Sequence, residues 1–252
     1  MMKQLVCAFV LAVLSALAGA AEIMVFCPGA VRSVVTGLAQ GYQAATGNTV
    51  KFEYGTAGGL QKRAAAGDSA DVVIVTAGGI DDLVKLGKIV AATRKDVGKV
   101  GVGVAVRAGA NAPDISTPEA FKQAMLNVKS VMYADPALGG QSGIHTARVF
   151  ERLGIAEAMK PKTQLRPGAP EGLKEVAAGA VEIGIGQMSE IVAAQGVKLV
   201  GPLPAELQNT LTFSAGRAAA SAAAEAADAF IAHLTNHAAR QKFAAAGFDV
   251  PQ

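Results

Sequence analysis

Residues 23–30 read Ile-Met-Val-Phe-Cys-Pro-Gly-Ala, and this stretch introduces the pattern that the rest of the chain repeats. The apolar run 23–26 predicts a buried strand, and a helix is predicted over about 31–46, ending near Gly47. The small residues 27–30 form the corner between the two elements. A strand that enters a helix in this way is the basic unit of an α/β fold.

The alternation of strands and helices continues to the end of the chain. A further helix is predicted to begin with Thr117 as its cap and Pro118 at its first position, where the missing N–H of proline costs nothing. The rhythm predicts an α/β protein with mainly parallel sheets. The other predicted strands are 50–54, 72–75, 100–106, 131–133, 181–185 and 197–200, and the other predicted helices are 59–66, 80–86, 143–153, 171–178, 221–234 and 237–246.

Residues 1–20 do not fit this alternation. Lys3 supplies a positive charge before an apolar run over residues 5–17. Residues 18–20 (Ala-Gly-Ala) then give a small-x-small cleavage signal. The apolar run is too short to cross roughly 30 Å of hydrocarbon as a helix. These features predict a cleavable signal peptide over residues 1–20 and a periplasmic location. Its removal, together with Cys7, leaves Cys27 as the single cysteine, so the fold does not depend on a disulfide.

Composition excludes several classes of protein. The 252 residues are 51% hydrophobic and 17% charged, which is too apolar for a disordered chain and too long for a disulfide-stapled mini-protein. The net charge of +3 is spread without a basic run, and the aromatic fraction of 5% offers no stacking platform, so no nucleic-acid partner is expected. No second long apolar stretch follows residue 20, which argues against a membrane-embedded protein.

Familiar catalytic and cofactor motifs are missing from the sequence. It has no phosphate-binding loop, no H-E-x-x-H, no G-x-S-x-G and no G-x-G-x-x-G that opens a helix. The three histidines, His145, His233 and His237, do not make a convincing metal cage, and Asn236 predicts a break between the last two. We therefore expect neither a cofactor nor a metal.

Small-residue corners are the candidate functional feature. The start of a helix leaves N–H groups unpaired and carries roughly half a positive charge, and small residues let an anion approach it. In open α/β sheets such corners lie at the carboxyl ends of strands, where ligands gather. Several corners together predict an anion-binding site, although any one of them is also ordinary turn chemistry. The corners are residues 27–30, 55–59, 139–143 and 167–170.

Two residues near the first corner have alternative interpretations. Arg32 falls in the first helical turn, where a cation opposes the helix dipole by about 0.3–1 kcal/mol. It is either an anion ligand held there for function or a solvated side chain that points outward. Cys27 is either a reactive thiol with a lowered pKa or a small buried apolar residue.

At these corners the chain resembles the periplasmic solute-binding proteins of ABC transporters, specifically the molybdate-binding (type II periplasmic binding protein) family. The resemblance implies two α/β lobes that are joined by a two-stranded hinge and close on a ligand like a clamp. It places the hinge strands near residues 100–103 and 210–215. Lobe 1 is then formed by 21–100 with 213–252, and lobe 2 by 101–212. The stretches that carry the resemblance are 23–30, 65–74, 134–136 with 142–145, and 182–187.

The resemblance also implies a set of ligand-binding residues. The family's oxyanion site uses a serine at each of the first two corners, main-chain N–H groups at later corners, and a tyrosine. Ala30 and Ala57 stand in place of those serines and Gln187 in place of the tyrosine. The altered set favours a small organic di- or tricarboxylate over molybdate. The implied ligand-binding residues are Ala30, Arg32, Thr56, Ala57, Gly58, Ser142, Gly143, Ala169 and Gln187.

The chain also resembles the aconitate isomerases, periplasmic enzymes on the same scaffold that move a double bond between cis- and trans-aconitate by proton transfer. Such chemistry needs an acid/base group near the substrate. His145 and Glu171 are the titratable candidates in the third and fourth corners. We therefore expect a monomeric protein that captures a small anion, with an isomerase as the alternative. The resemblance implies that such a protein delivers the anion to an inner-membrane ABC permease.

Overall fold

The computed structural model describes residues 20–250, and within this range nine strands form one continuous sheet. The predicted signal peptide over residues 1–20, including Cys7, lies outside the described residues apart from Ala20. No helix within residues 20–250 combines the length and the apolar character needed to cross a bilayer.

The strands agree with the predicted rhythm. The first begins before Ile23 and runs into Pro28, so the corner at residues 27–30 is divided between a strand and the helix that follows. The strand Thr163–Arg166 was not predicted because its sequence, TQLR, lacks an apolar run. In chain order the strands are β1 Glu22–Pro28, β2 Thr49–Gly55, β3 Val72–Thr76, β4 Lys95–Arg107, β5 Val131–Ala134, β6 Thr163–Arg166, β7 Ile183–Gln187, β8 Val197–Pro202 and β9 Thr210–Arg217.

The helices begin and end at the residues that sequence rules favour. The first helix ends where Gly47 adopts φ 75°, a left-handed conformation that glycine allows. The predicted cap at Thr117 is confirmed, because its hydroxyl accepts a hydrogen bond from Ala120 N at 3.1 Å. In chain order the helices are α1 Gly29–Thr46, α2 Ala57–Ala66, α3 Ala77–Lys85, α4 Pro118–Asn127, α5 Gln141–Arg152, α6 Ala156–Met159, α7 Ala169–Ala178, α8 Met188–Ala193, α9 Ala224–Thr235 and α10 His237–Ala245.

The sheet changes partners in the middle of β4, and this divides the molecule into two lobes. The strand order is β2-β1-β3-β9-β4-β7-β5-β6, with β8 also paired to β4. Residues Lys95–Gly101 of β4 pair with β9, whereas Val102–Arg107 pair with β7 and β8. The pairs around β1 and β5 are parallel, whereas the pairs made by β4 and β9 are antiparallel. The predicted two-lobed α/β architecture is therefore confirmed, and the exact lobe boundaries stay a prediction.

Each lobe has its own hydrophobic core. In the first lobe, α1 and α9 pack on the sheet through buried residues such as Val35 and Phe230. In the second lobe, Phe121 and Phe150 from α4 and α5 pack against β5. The first core includes residues from the first half of β4 and the second core includes residues from its second half, and a cavity is lined by residues of both lobes.

Candidate functional site

A cavity of about 200 Å³ lies between the two lobes, at the carboxyl ends of β1, β2, β5 and β7. Its size is below the roughly 300–1,000 Å³ typical of sites for drug-sized ligands. The position agrees with the general rule for open α/β sheets. The cleft is therefore of a size for a small metabolite or inorganic ion.

Helix N-termini surround this cleft. The caps of α1, α5 and α7 are Pro28, Gly140 and Gly168, and none of them caps its helix with a side chain. All three caps line the cleft. The first N–H groups of these helices are thus directed toward a shared space, which favours an anion.

The second corner has a different role. The Thr56 hydroxyl accepts a hydrogen bond from Gly59 N at 3.0 Å and donates one to the Leu138 carbonyl on the opposite lobe. Gly58 N donates to the Gly139 carbonyl at 3.2 Å. These donors therefore join the lobes at the rim of the cleft, and Gly58 does not line it.

Close packing explains the glycine at position 143. A β-carbon there would lie 1.7 Å from the Ala134 carbonyl oxygen, so only glycine lets the start of α5 pack on the end of β5. Gly143 does not line the cleft, whereas its neighbour Ser142 does and is 4% exposed.

Gln187 is the most unusual polar residue of the cleft. It ends β7, lines the cavity and is 3% exposed. Neither its side-chain oxygen nor its side-chain nitrogen has a hydrogen-bond partner within residues 20–250. Leaving a buried amide unpaired costs about 1–3 kcal/mol, and native proteins keep such groups for a reason. An amide with a free donor and a free acceptor in the cleft fits a role in binding a polar ligand.

Arg32 is exposed and lies at the mouth of the cleft. Its guanidinium carbon lies 3.9 Å from the ring centroid of Tyr54, and both residues line the cavity. The Tyr54 hydroxyl in turn lies 3.4 Å from the Thr36 hydroxyl. Such stacking contributes about 0.5–1 kcal/mol at an exposed site and leaves the N–H edge of the guanidinium available to an anion.

Two carboxyl groups also line the cleft. Glu190, in the first turn of α8, accepts a hydrogen bond from Gln187 N at 3.2 Å, and it faces α1 so closely that a β-carbon on Gly29 would lie 2.2 Å from Glu190 Oε1. Burial raises the pKa of Glu190 to about 7, Glu171 raises it further, and the Gln187 N–H opposes the shift. Glu171 itself is exposed at the start of α7. The cleft thus contains a carboxyl group that both gains and loses a proton near neutral pH.

The other predicted proton-transfer residue lies elsewhere. His145 is in α5, its Nε2 lies 2.7 Å from the Leu207 carbonyl oxygen, and it does not line the cleft. The interpretation of Cys27 as a reactive thiol is wrong, because the thiol is fully buried and burial raises its pKa. Within residues 20–250, no three His, Cys, Asp or Glu side chains come together as a metal site.

Most of the residues predicted to bind a ligand therefore meet at one cleft. The exceptions are Gly58, Gly143 and His145. Tyr54 and Glu190 were not predicted from the sequence, although a glutamate three residues after Gln187 has the spacing of a helix-start motif. The predicted residues that do line the cleft are Ala30, Arg32, Thr56, Ala57, Ser142, Ala169, Glu171 and Gln187.

A family model described as bacterial extracellular solute-binding protein matches residues 23–249, which is almost the whole chain that the structure describes. The chain belongs to this solute-binding family. The resemblance at the corners therefore predicted the family correctly. It also predicted the two-lobed fold correctly.

Individual relatives of this solute-binding protein differ in what their names say they do. An aconitate isomerase from a Pseudomonas species is 32% identical over 222 residues, which cover 85% of this chain and 82% of the relative. The periplasmic molybdate-binding protein of Azotobacter vinelandii superposes with a TM-score of 0.77 at 18% identity, covering 92% of this chain and 100% of that one. The sulfate-binding protein SubI of Mycobacterium tuberculosis gives 0.71 at 21% identity, covering 90% and 86%. The two solved structures establish the fold.

Proposed function

We propose that this solute-binding protein captures a small organic di- or tricarboxylate in the cleft between its lobes. The observation that carries the proposal is the buried, unpartnered amide of Gln187 facing a cavity that three uncapped helix starts surround. A carboxylate satisfies the N–H groups of the helix starts and of the Gln187 amide because it accepts hydrogen bonds from several N–H donors at once.

The proposed ligand contacts follow from the positions of the donors. The first turns of α1, α5 and α7 offer main-chain N–H groups near Ala30, Ser142 and Ala169. The guanidinium group of Arg32 adds a positively charged donor at the mouth of the cleft. Each charge-assisted hydrogen bond contributes roughly 1.5–3 kcal/mol. A few of them account for the roughly −8 kcal/mol of micromolar binding after the cost of association.

The carboxyl groups of the cleft favour an organic anion over a tetrahedral oxyanion. A small oxyanion presents negative charge in every direction, including toward Glu171 and Glu190. An extended polycarboxylate places its charges on the helix starts and Arg32 and turns a neutral carbon toward Glu190. Ala30 and Ala57 stand in place of hydroxyl donors, and the loss of these donors also weakens binding of a tetrahedral oxyanion.

Calorimetry on the purified protein tests this proposal. Citrate, trans-aconitate, cis-aconitate and tricarballylate, the saturated analogue of aconitate, are titrated alongside molybdate and sulfate. Micromolar binding of a polycarboxylate is expected, with R32A weakening it at least roughly tenfold. R148A is the matched control, because Arg148 is exposed on α5 and does not line the cleft. Tight molybdate or sulfate binding with no response to carboxylates would refute the proposal.

Isomerisation of aconitate is the second candidate function. The relative that is 32% identical along most of both chains is named an aconitate isomerase, and Glu190 supplies the cleft with a carboxyl group whose pKa is about 7. The test is to incubate the purified protein with trans-aconitate and measure the cis isomer. Turnover identifies an enzyme, whereas binding without turnover identifies a pure binding protein.

Export and delivery complete the proposal. The segment 1–20 directs the chain to the periplasm and is cleaved there, and a monomer then hands the ligand to an inner-membrane ABC permease. Family membership supports this route. N-terminal sequencing of the protein from a periplasmic extract should begin at Ala21, and an intact N-terminus in that fraction would contradict the cleavage.

A further inference from the structure

One carboxyl group of the cleft is held in a fixed place by both lobes. Ser189, next to Glu190 on α8, donates its hydroxyl to the Ala30 carbonyl at 2.7 Å, which ties α8 to the start of α1. Gln187 N holds Glu190 Oε2, and the α-carbon of Gly29 lies against Oε1. Glu190 therefore has one oxygen in a hydrogen bond and the other directed at the first helix start of the cleft.

The surroundings of Glu190 suit a group that changes its protonation state. Among the described residues, the other titratable side chains that line the cleft are Arg32 and Tyr54 at its mouth and Glu171 on α7. Burial is the main cause of the raised pKa of Glu190, and the negative charge of Glu171 adds to it. A general base works best when its pKa lies near the working pH, because it is then both ionised and able to accept a proton.

We infer that Glu190 is the proton-transfer group of this cleft and acts on the methylene carbon of a bound aconitate-type tricarboxylate. This inference rests on the aconitate isomerisation proposed above. The starts of α5 and α7, Arg32 and the Gln187 amide bind the three carboxylates of such a ligand, and the hydrocarbon part of the ligand is then left to face Glu190 beside the start of α1.

Glu190 alone can carry out both proton transfers of the isomerisation, with atoms and electrons balanced. The ionised carboxylate of Glu190 removes a proton from the methylene carbon, and the C–H electron pair becomes the new carbon–carbon double bond. The electron pair of the old double bond takes a proton at the former vinyl carbon, and protonated Glu190 supplies it. No oxidant, reductant or further reactant is consumed, and the carboxylate returns to its starting state.

The decisive variant is E190Q, because the amide oxygen of glutamine keeps the acceptor for Gln187 N but does not take up the substrate proton. Turnover of trans-aconitate is expected to fall by about 100-fold or more, while the Kd for tricarballylate stays unchanged. E157Q is the matched control, since the Glu157 side chain is 84% exposed and pairs with Lys160. Thermal unfolding verifies that both variants fold.

The outcomes separate this inference from the function on which it rests. Full turnover by E190Q overturns the role of Glu190 and leaves the isomerase intact. Loss of tricarballylate binding together with turnover also overturns it, because the carboxyl group then serves binding. A wild-type protein that binds tricarballylate but never converts aconitate refutes the isomerase and this inference while ligand capture stands.

The pH profile of the wild-type enzyme gives an independent readout. If Glu190 is the base, kcat/KM rises as pH increases through the pKa of about 7 and then levels off. A profile that is flat from about pH 5 to 9 would overturn the inference without any substitution.

Discussion

The α-carbon of Gly29 lies against the carboxyl group of Glu190, so that a β-carbon at position 29 would lie 2.2 Å from Glu190 Oε1. The two residues belong to different lobes and are far apart in the chain. A β-carbon at position 29 therefore has room only if the Glu190 carboxyl group shifts from its place in the cleft.

The variant G29A should therefore displace Glu190 while leaving the helix intact, because alanine is favourable in a first helical turn. We expect aconitate turnover to fall on the order of 100-fold, since a shift of about 1 Å in a reacting group has that effect. The measurement is kcat/KM for trans-aconitate, with circular dichroism to verify helix content.

The matched control is G37A in the same helix, where a β-carbon meets nothing within 4 Å. Replacing glycine by alanine in a helix interior stabilises by up to about 1 kcal/mol. G37A should thus unfold at the same or a higher temperature and keep full turnover. Equal turnover in G29A and G37A would show that the position of the Glu190 carboxyl group does not matter.

A second pair of glycines forms the contact between the lobes at the rim of the cleft. A β-carbon on Gly58 would lie 3.0 Å from both the α-carbon and the carbonyl oxygen of Gly139. G58A should hinder this approach and raise the Kd for tricarballylate, because the proposed ligand is held between the two lobes. G78A is the control, since Gly78 holds the same second position in α3 and has nothing within 4 Å. Equal affinity in both variants would exclude a role of the rim contact in binding.

The corners could be predicted because each depends on local sequence. Proline and glycine before a helix and an arginine in its first turn are visible within a few residues, whereas Gln187 was implied only by the family resemblance. The structure brings Ala30, Ser142, Ala169 and Gln187 to one cleft, as expected for strand ends of one sheet.

The remaining features depend on contacts across the cleft, which no local pattern contains. The hydroxyl of Thr56 looked free for a ligand, but it is bound to Leu138 on the other lobe. Glu190 was missed because α8 has only six residues, too few for a clear helical period, and because its raised pKa depends on burial of a carboxyl group that lies beside Gly29 of α1 and Gly186 of β7. His145 looked like a base from its place in a corner, whereas its helix turns it toward Leu207.

The raised pKa of Glu190 also predicts how stability changes with pH. In the unfolded chain the carboxyl group has its ordinary value of 4.5, and in the folded protein it has about 7, so the folded state binds more protons between these values. Its stabilising contribution is therefore complete below about pH 4.5 and is lost as pH rises through 7. E190Q lacks this loss, so its Tm relative to wild type should increase from pH 5 to pH 8, as measured by calorimetric scans. A constant difference in Tm would contradict a raised pKa.

Replacing Gln187 by an apolar residue should increase the stability of the protein and weaken ligand binding. Its two side-chain polar atoms are buried without partners among residues 20–250, so Q187M, which keeps the length of the side chain, removes an uncompensated burial cost. We expect the free energy of unfolding without ligand to increase by about 1–3 kcal/mol, measured by urea denaturation. The same variant should bind tricarballylate at least roughly tenfold more weakly, because methionine donates no hydrogen bond. A variant that is less stable and binds normally would show that the amide serves the fold instead of the ligand.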